Sequence, residues 1–373
     1  MSRAPLILIS AGGTGGHLFP AEAMAAELIR AGLRVALATD ERVGDLAKGF
    51  PGGEVYPIPS ATPSGRTFIE KAKAGLELGR GVLAAIALIR RLKPAAVVGF
   101  GGYPTIPPLV AATILKIPCA IHEQNGVMGR ANRLLAGRVS LIATGFANVA
   151  GAPTGTRTIH TGNPVRSTVV EAARTLYPTA DRNMKLRLLV FGGSQGARVM
   201  SEVVPPAVEK LAPEHRRRLV VTQQARDEDL AQVRDTYARL GVSAEVQPFF
   251  KDLPQRIANA HLVVGRSGAS TVAELGVIGR PAILVPLPGA LDQDQAANAR
   301  TLTEIGAALA IPQSEFTPVR LAAELTARFD APEILTRAAL AAKSAGIPDA
   351  AARLATAVME LAKYDARNEK TES

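Results

Sequence analysis

The sequence predicts an α/β protein built from two successive doubly wound domains. Its 373 residues are enough for about two hydrophobic cores, and 47% hydrophobic with 20% charged residues is a composition typical of globular chains. Two glycine-rich loops, at residues 12–16 and 192–196, each follow an apolar run and precede a helical stretch. Because this pattern occurs twice, two domains account for it better than one long sheet.

The first domain begins with a strand–helix–strand unit. Residues 6–10 form an apolar run that ends in glycines, and residues 20–31 are an Ala-rich helical stretch stopped by Gly32. Residues 34–39 are a second apolar run. Continuous apolar strands are typical of a parallel sheet covered on both faces. Further strand ends are predicted at residues 97–98, 118–122 and 140–143.

The second domain repeats this order. Its first strand is predicted at residues 186–191, and the later strands at residues 219–222, 245–248, 262–264 and 282–285. A polar stretch with Gly and Pro at 151–158 leads to a boundary near Asn163. We therefore predict a first domain over residues 1–163 and a second over residues 164–345. A last helix, around residues 349–363, follows Gly346 and Pro348.

Composition excludes several classes of protein. Aromatic residues make up 4% and tryptophan is missing, which is poor material for stacking nucleic-acid bases. The single cysteine, Cys119, excludes an intrachain disulfide and any zinc site that needs several thiolates. The apolar run at residues 82–89 is too short to cross a membrane, and the start of the chain does not form a signal peptide. The sequence thus predicts a cytoplasmic protein.

Positive charge is concentrated in the first half. The net charge is +10, of which residues 1–163 contribute +8 (17 basic, 9 acidic) and the remainder +2 (26 basic, 24 acidic). Residues 64–93 alone carry seven basic and two acidic side chains. This asymmetry indicates an anionic partner, either nucleic acid or anionic lipid, or else a merely solvated surface.

The first glycine loop is a candidate anion site. Its sequence, GGTGGH at residues 12–17, lets backbone amides and a helix N-terminus approach a phosphate. Leu18 replaces the third glycine of the dinucleotide fingerprint, and no Gly-Lys-Ser/Thr of a P-loop follows. The alternative is a tight turn without a ligand. His17, at the end of the loop, is a candidate general base for a hydroxyl nucleophile.

A second set of candidate residues follows the strand at 262–264. Ser267 or Ser270 could cap the next helix, and Glu274 could accept hydrogen bonds from sugar or ribose hydroxyls. The alternative for Glu274 is a favourable acid near a helix N-terminus. Arg166 could clamp a diphosphate, because a guanidinium matches phosphate geometry at two points.

No metal or other cofactor is expected. The short pattern Asp-x-Asp, which binds metal in some glycosyltransferases, occurs at both 227–229 and 292–294, so it discriminates little. The five histidines show no metal-ligand spacing.

The ordered motifs together resemble one known family. The motifs are GGTGGH at 12–17, GFGGY at 99–103, HEQN at 122–125, GNPVR at 162–166, GGSQG at 192–196, and RSGA at 266–269 followed by Glu274. The chain closely resembles the MurG family of bacterial N-acetylglucosaminyltransferases over nearly its whole length.

The resemblance implies the glycosyltransferase B architecture, in which two Rossmann-like domains face each other across a cleft. The first domain, with the C-terminal helix of residues 346–373, would bind the acceptor and face the membrane. The second would bind the donor, UDP-N-acetylglucosamine (UDP-GlcNAc). The implied reaction in peptidoglycan synthesis is inverting transfer of GlcNAc to the C4 hydroxyl of MurNAc in undecaprenyl-pyrophosphoryl-MurNAc-pentapeptide (lipid I), giving lipid II and UDP.

The resemblance also implies partners and a location. UDP-GlcNAc and lipid I would be substrates, and no nucleic acid is expected. The protein would lie peripherally on the cytoplasmic face of the bacterial inner membrane, against an anionic surface, and so serve cell-wall growth, cell shape and division. Candidates for an apolar, basic-rimmed membrane patch are Phe68, Ile69, Leu76, Val82, Leu83 and Ile86.

Site residues carried over by motif fall into groups. Thr14, Gly15 and Gly16 would line the diphosphate side of the cleft. The donor sugar would contact Asn125 and, through its hydroxyls, Gln295. Arg166 and Ser194 would serve the nucleotide and phosphates, and Phe250 would hold uracil through its backbone. The ribose and phosphates would be held by Ala269, Ser270, Thr271, Val272, Ala273 and Glu274. The family commonly has Ile at the position of Phe250 and Gln or His at that of Asp294, so Asp294 has no assigned role.

Three other functions stay open from the residues alone. Asp40, at the end of the second strand, would suit an NAD(P)-dependent oxidoreductase. A UDP-GlcNAc 2-epimerase shares the two-domain architecture but needs no lipid acceptor. The net charge of +10 would suit a non-enzymatic binding module for anionic polymers.

Overall fold

The chain folds into two compact α/β units. The computed structural model describes residues 4–12, 14–40, 49–61, 67–178, 180–181, 183–193, 196–289 and 294–368. One unit comprises the chain up to Arg166 together with the residues from Pro348 onwards, and the other is Ser167–Ile347. Each contains one parallel sheet with helices, so the predicted fold class is confirmed.

The first unit contains a seven-stranded parallel sheet in the order β3-β2-β1-β4-β5-β6-β7. Its strands are β1 (Leu6–Ser10), β2 (Arg34–Thr39), β3 (Val55–Pro57), β4 (Ala96–Gly99), β5 (Cys119–Glu123), β6 (Leu141–Thr144) and β7 (Thr158–His160). Its helices are α1 (Gly15–Arg30), α2 (Phe68–Leu92), α3 (Ile106–Ile114), α4 (Arg130–Leu135) and the last helix of the chain, α14 (Ala350–Asn368). Helix α14 packs on α1 and β4 and places Leu354 and Val358 in the same core as Ile7 and Met24.

The second unit contains a six-stranded parallel sheet in the order β10-β9-β8-β11-β12-β13. Its strands are β8 (Leu186–Phe191), β9 (Leu219–Gln224), β10 (Ser243–Gln247), β11 (Leu262–Gly265), β12 (Ala282–Leu284) and β13 (Ala308–Ala310). Its helices are α5 (Ser167–Ala172), α6 (Arg198–Glu209), α7 (Pro213–Arg218), α8 (Leu230–Arg239), α9 (Leu253–Asn259), α10 (Ala269–Ile278), α11 (Asp294–Thr303), α12 (Pro318–Asp330) and α13 (Glu333–Ser344).

Each sheet has one point at which the strand order reverses direction. In the first unit β1 lies between β2 and β4, and in the second β8 lies between β9 and β11. Connections on either side of such a point run to opposite faces of the sheet, which leaves a crevice at the carboxyl ends of the strands. The loops after β1 and β4, and those after β8 and β11, therefore border the two crevices.

Helix α1 begins earlier than the sequence pattern predicts. The prediction placed its start at Pro20, but the helix begins at Gly15, after Thr14 in an extended conformation (φ −117°, ψ 150°). Pro20 thus lies inside the helix, where it removes one backbone hydrogen bond. As a consequence, His17 lies on the first turn of a helix instead of in a loop.

Candidate active site

His17 packs closely against the loop that follows β4. The amide of Gly12 donates to the carbonyl oxygen of Gly101 at 3.1 Å, which joins this loop to the one after β1. A Cβ atom on Gly101 would lie 3.1 Å from Cε1 of His17, and Gly101 has a φ of +87°. Glycine is therefore needed at position 101 both for the backbone conformation and for the space that the imidazole occupies. These two requirements explain the glycine at position 101 of the GFGGY motif.

A chain of side-chain hydrogen bonds runs from His17 into the interior. Nδ1 of His17 lies 3.1 Å from Oε1 of Gln124. Nε2 of Gln124 lies 3.0 Å from Nδ1 of His122 and 2.9 Å from the His122 carbonyl oxygen. Nε2 of His122 lies 3.1 Å from the carbonyl oxygen of Gly162. Burial of the His122 ring lowers its pKa to about 4, so this ring is neutral near pH 7.

Glu123 fixes the loop that carries Asn125. Its carboxylate is buried and accepts hydrogen bonds from the Asn125 amide (2.9 Å), the Gly129 amide (2.9 Å) and Nδ2 of Asn132 (2.8 Å). Asn125 is half-buried at the carboxyl end of β5. A buried carboxylate with this many donors is stable in place, so Glu123 organises the loop on which Asn125 stands.

Arg166 lies beside the first two turns of α1. The centre of its guanidinium is 4.4 Å from the ring centroid of Phe19. Burial raises the pKa of Glu22 on the same helix, and the charge of Arg166 opposes that rise. The segment that leads to Arg166 is tied to the β5 loop, because Nδ2 of Asn163 donates to the Gln124 carbonyl at 2.9 Å. The 12–17, 122–125 and 162–166 motifs therefore meet at one edge of the first sheet.

The first turn of α1 presents backbone amides. Thr14 is the residue before the helix, and its side chain makes no capping hydrogen bond. Among the residues that the structure describes, the amides of Gly15 and Gly16 have no acceptor. Free amides at a helix N-terminus bind anions. Thr14, Gly15 and Gly16 are thus placed where a phosphate could bind, although their role in substrate binding stays a prediction.

Helix α10 in the second unit also starts without a side-chain cap. The residue before it is Gly268, so the prediction that Ser267 or Ser270 caps the helix is wrong. The Ser267 hydroxyl instead donates to the Gln295 carbonyl at 2.7 Å. The backbone amides of the first turn therefore lie uncapped at the crevice between β8 and β11. The residues predicted to hold ribose and phosphate lie on the first two turns of this helix: Ala269, Ser270, Thr271, Val272, Ala273 and Glu274.

Glu274 and Val272 are buried, whereas the other four are partly exposed. Glu274 belongs to the second turn of α10.

Gln295 is held between two loops of the second unit. Its Oε1 accepts a hydrogen bond from the Leu287 amide at 3.1 Å, so its Nε2 is the group that could donate to a ligand. Oδ1 of Asp294 accepts from the Gln295 amide at 2.8 Å. Asp294 therefore stabilises the start of α11. Arg266 holds the same loop, since its guanidinium donates to the Val285 and Pro286 carbonyls at 3.0 and 3.2 Å.

Phe250 is buried after β10, and Phe249 beside it is exposed. The guanidinium of Arg256 lies 4.2 Å from the centroid of the Phe250 ring. This packing fixes the backbone at residue 250, through which the resemblance implies uracil binding. The predicted site residue Ser194 lies outside the described residues.

Three polar residues of the site had no role in the prediction. Gln124 links His17 to His122, as described above. Gln224 accepts from the Gly192 amide at 3.3 Å and donates to the Pro248 carbonyl at 3.0 Å, so it joins the loops after β8 and β10. Nδ2 of Asn298 donates to the Ser267 carbonyl at 3.2 Å. Each of the two glutamines stands two residues after the end of a predicted strand, and this position was the one signal that the sequence offered for them.

Helix α2 carries part of the predicted membrane patch. Leu76 and Leu83 are 62% and 69% exposed, but Ile86 packs partly against the core and Val82 is half-buried. The side chains of Phe68 and Ile69 lie outside the described residues. Within the described part of the chain, no helix has the length and apolarity needed to span a membrane. Also within it, no three His, Cys, Asp or Glu side chains cluster as they would around a metal ion.

Two family models match the chain. The glycosyltransferase family 28 N-terminal domain matches residues 7–144, and the family 28 C-terminal domain matches residues 187–354. These ranges cover most of the two sheets described above.

Relatives match over nearly full length. A protein of Methylorubrum populi is 62% identical over 96% of this chain and 98% of its own length, and one of Rhodopseudomonas palustris is 58% identical over 97% and 100%. Both are named UDP-N-acetylglucosamine–N-acetylmuramyl-(pentapeptide) pyrophosphoryl-undecaprenol N-acetylglucosamine transferase.

Solved structures share the fold. Acinetobacter baumannii MurG has a TM-score of 0.78 at 29% identity, covering 96% of this chain and 99% of that protein. A UDP-GlcNAc 2-epimerase from Neisseria meningitidis has a TM-score of 0.65 at 13% identity over 95% of this chain and 100% of that one, which shows the fold alone. The family matches do not favour the epimerase, the oxidoreductase or the polymer-binding alternatives. The chain belongs to glycosyltransferase family 28 and, within it, to the MurG family that the sequence motifs predicted.

Proposed function

We propose that this chain transfers GlcNAc from UDP-GlcNAc to the C4 hydroxyl of MurNAc in lipid I, giving lipid II and UDP. The observation that carries the proposal is that relatives with 62% identity over 96% of the chain bear the name of this transferase. The second supporting observation is the position of His17 on an uncapped helix turn that the sheet topology places at a crevice.

The donor belongs to the second unit in this proposal. The amides at the start of α10 face an anion, and the Glu274 carboxylate accepts hydrogen bonds from ribose hydroxyls. Nε2 of Gln295 donates to a hydroxyl of the sugar, because its Oε1 is already bound to the Leu287 amide. Arg166, Ser194, Asn125 and Phe250 keep the roles stated for them above as proposals.

The reaction is a direct displacement. His17 removes the proton from the C4 hydroxyl while the hydroxyl oxygen bonds to C1 of the donor sugar. The bond from C1 to the UDP oxygen breaks, and the electron pair leaves with UDP. Attack from the opposite face inverts the α linkage to β. Helix amides and Arg166 stabilise the charge on the departing diphosphate.

A transfer assay tests the proposal. Purified protein is mixed with radiolabelled UDP-GlcNAc and a lipid I analogue, with EDTA present, and the label is followed into the lipid product. We expect lipid-linked disaccharide and an equal amount of UDP. Release of free N-acetylmannosamine without an acceptor would instead support an epimerase, and label that stays in UDP-GlcNAc would refute both.

A membrane-binding surface on α2 is part of the same proposal, because lipid I is anchored in a bilayer. Six residues at spacings of three and four form one exposed stripe along this helix: Lys73, Leu76, Arg80, Leu83, Ala87 and Arg90. We call these six residues the α2 stripe. Basic and apolar side chains together on one exposed helix face are typical of helices that lie in an anionic membrane surface. The protein would then lie on the cytoplasmic face of the bacterial inner membrane.

Vesicle sedimentation tests the α2 stripe. The wild type should bind vesicles that contain phosphatidylglycerol more tightly than pure phosphatidylcholine vesicles, and added salt should weaken the binding. Leu83→Glu should reduce binding, because it removes an apolar contact and adds a negative charge. The matched control, Leu340→Glu, changes an equally exposed leucine on α13 of the other unit. Equal losses in both variants would contradict the assignment.

A further inference from the structure

We propose that Gln124 and His122 are positioning residues that fix which ring nitrogen of His17 carries the proton. They keep the Nε2 lone pair of His17 available to accept a proton from the acceptor hydroxyl. The inference deepens the proposed function and rests on it, since it concerns the general base of that reaction. Neither residue touches the reacting atoms.

The orientation of the Gln124 amide follows from its buried partners. The atom at 2.9 Å from the His122 carbonyl oxygen must be a donor, because a carbonyl oxygen only accepts. This atom is therefore Nε2. The other end of the amide, Oε1, then faces Nδ1 of His17 at 3.1 Å. Gln124 is buried, so water does not compete for these groups.

The protonation of His17 follows from that orientation. Oε1 of an amide can only accept, so Nδ1 of His17 must carry the hydrogen that joins the two. A neutral imidazole has one N–H, which leaves the lone pair on Nε2. The amide thus selects one of two possible tautomers. In water, a neutral histidine favours the other tautomer, with its proton on Nε2, and that form could not accept a proton there.

His122 holds the inner end of the hydrogen-bond series that starts at His17. Its Nε2 faces the Gly162 carbonyl at 3.1 Å and must donate, so its Nδ1 accepts from Nε2 of Gln124 at 3.0 Å. This arrangement requires a neutral His122 ring. The ring is fully buried, and burial holds its pKa at about 4, so it stays neutral over the pH range in which a general base works. A second N–H on His122 would repel the Gln124 amide group and release Gln124.

The direct test is nitrogen NMR of protein labelled with ¹⁵N-histidine. There are five histidines, and His17 is assigned by comparison with His17→Asn. In the wild type near neutral pH, we expect the unprotonated nitrogen of His17 to be Nε2 and that of His122 to be Nδ1. If the unprotonated nitrogen of His17 is Nδ1, the proposal is wrong. This result does not depend on activity, so it is separate from the outcome of the transfer assay.

A variant test follows the same signal. Gln124→Met keeps the length of the side chain but removes both hydrogen-bonding groups, so the His17 signal should shift towards the Nε2-protonated tautomer. Its matched control is Gln223→Met, which removes another fully buried glutamine, bonded to Tyr237 in the second unit. The control should leave the His17 signal unchanged. An unchanged His17 tautomer in Gln124→Met overturns the proposal.

Kinetics distinguish a positioning role of Gln124 from a merely structural one, because a structural role would not change kcat separately from KM or shift the pH–kcat profile. In Gln124→Met, we expect kcat to fall roughly 10- to 100-fold, which is part of the 10²–10⁴ that a general base supplies, with KM for both substrates little changed. Gln124→Glu still accepts from Nδ1–H and should recover kcat at higher pH. The acid limb of its pH–kcat profile should move to higher pH, because a carboxylate favours the charged imidazole. If kcat of Gln124→Glu does not exceed kcat of Gln124→Met at any pH, the positioning role is contradicted.

Discussion

Single side chains at the first crevice show how much the position of His17, the proposed general base, depends on its neighbours. The His17 ring is bounded by the Gly101 backbone on one side and hydrogen-bonded to Gln124 at Nδ1. Both restrain its χ angles, so the ring is held before substrate arrives. A base that is already oriented loses less entropy when the reaction geometry forms.

Replacing His17 by Ala should reduce kcat by roughly 10²–10⁴ if it is the general base. Binding of UDP-GlcNAc, measured by calorimetry, should change little, because the donor is assigned to the second unit. His160→Ala, at an exposed histidine that ends β7, serves as the control and should keep normal turnover. Near-normal kcat in His17→Ala would remove this residue from the role of base.

Gly101→Ala should lower both stability and turnover. The new Cβ would lie 3.1 Å from Cε1 of His17, on a backbone with φ of +87°. Positive φ in a non-glycine residue costs about 1–3 kcal/mol. Gly53→Ala is the matched control, because Gly53 has φ of +71° but no atom within 4 Å of the added Cβ. Thermal unfolding should show a loss in both variants, whereas only Gly101→Ala should lose kcat. Equal turnover in the two variants would show that the contact with His17 does not matter.

Burial of His122 should make the stability of the first unit depend on pH. Its pKa falls from 6.5 in an exposed chain to about 4 in the folded protein. Between these values the unfolded chain binds a proton that the folded chain does not, so stability rises with pH. The free energy of unfolding is therefore highest above pH 6.5, as far as His122 is concerned, and it falls as the pH is lowered towards 4. Hydrogen exchange in β4 and β5 between pH 7 and pH 4.5 should show this loss of stability, and His122→Gln should make stability depend less steeply on pH. An equal slope in the variant would exclude His122 as its source.

At the scale of secondary-structure elements, the ends of helices determine both the site and its stability. Helices α1 and α10 start without side-chain caps, which leaves amides for a ligand. Helix α2 has a complete capping box, in which Thr67 and Glu70 each bond the other's backbone amide. Helix α2 carries the α2 stripe, whereas α1 and α10 border the crevices. Other described helices, among them α6 and α9, also start without a side-chain cap. The position of α1 and α10 at the crevices, and not the missing cap alone, therefore makes their first turns candidate anion sites.

Arg280 joins several element ends in the second unit. It is 1% exposed, and its guanidinium donates to carbonyl oxygens of Ala258 at the end of α9, Ile278 at the end of α10, and Thr175 in the segment after α5. Burial lowers its pKa to about 10, so it is still charged at neutral pH. One side chain therefore satisfies carbonyls from three separate elements.

Arg280→Ala should destabilise the second unit by roughly 3–5 kcal/mol, because it leaves buried carbonyls without donors. Arg239→Ala is the control, since Arg239 lies on the surface in an exposed pair with Glu209, and exposed ion pairs contribute little to stability. Differential scanning calorimetry should show a clearly lower transition temperature for Arg280→Ala and an almost unchanged transition temperature for the control. A similar small shift in both would mean that water replaces the lost donors.

At the scale of the whole molecule, the first unit depends on both ends of the chain. Leu354 and Val358 of α14 are fully buried against the core around Ile7 and Met24. The last helix of the chain thus completes a core that the first strands began.

Leu354→Ala should cost the first unit about 2–5 kcal/mol, the usual range for a large-to-small core substitution. Leu340→Ala, at a leucine that is 69% exposed on α13, should change stability by no more than about 0.5 kcal/mol. The chain has no tryptophan, so hydrogen exchange is the suitable measurement, and it reports on each unit separately. Protection should fall in β1 and β4 but not in β8 and β11. Loss confined to the second unit would contradict the packing described for α14.

Much of the fold could be predicted because it follows from local patterns. Apolar runs such as residues 6–10 and 186–191 are long enough to predict buried parallel strands, and the glycine loops mark where each strand meets its helix. The start of α1 could not be predicted from Pro20, since glycines in a loop and glycines in a first helical turn look the same in sequence. The Ser267 cap was predicted wrongly because the Gln295 carbonyl, 28 positions away, competes for the hydroxyl.

By itself the sequence determined the two parallel α/β sheets, the ordered motifs and the membership of the MurG family. Those features depend on residue type and short spacing. Only the tertiary structure decided that His17 meets Gln124, 107 positions along the chain, and that Gln124 in turn meets His122 in a buried site. The physical reason is that the order of strands in a sheet brings their carboxyl ends together regardless of distance along the chain. A hydrogen bond between those ends depends on that order and on burial, which no local pattern specifies.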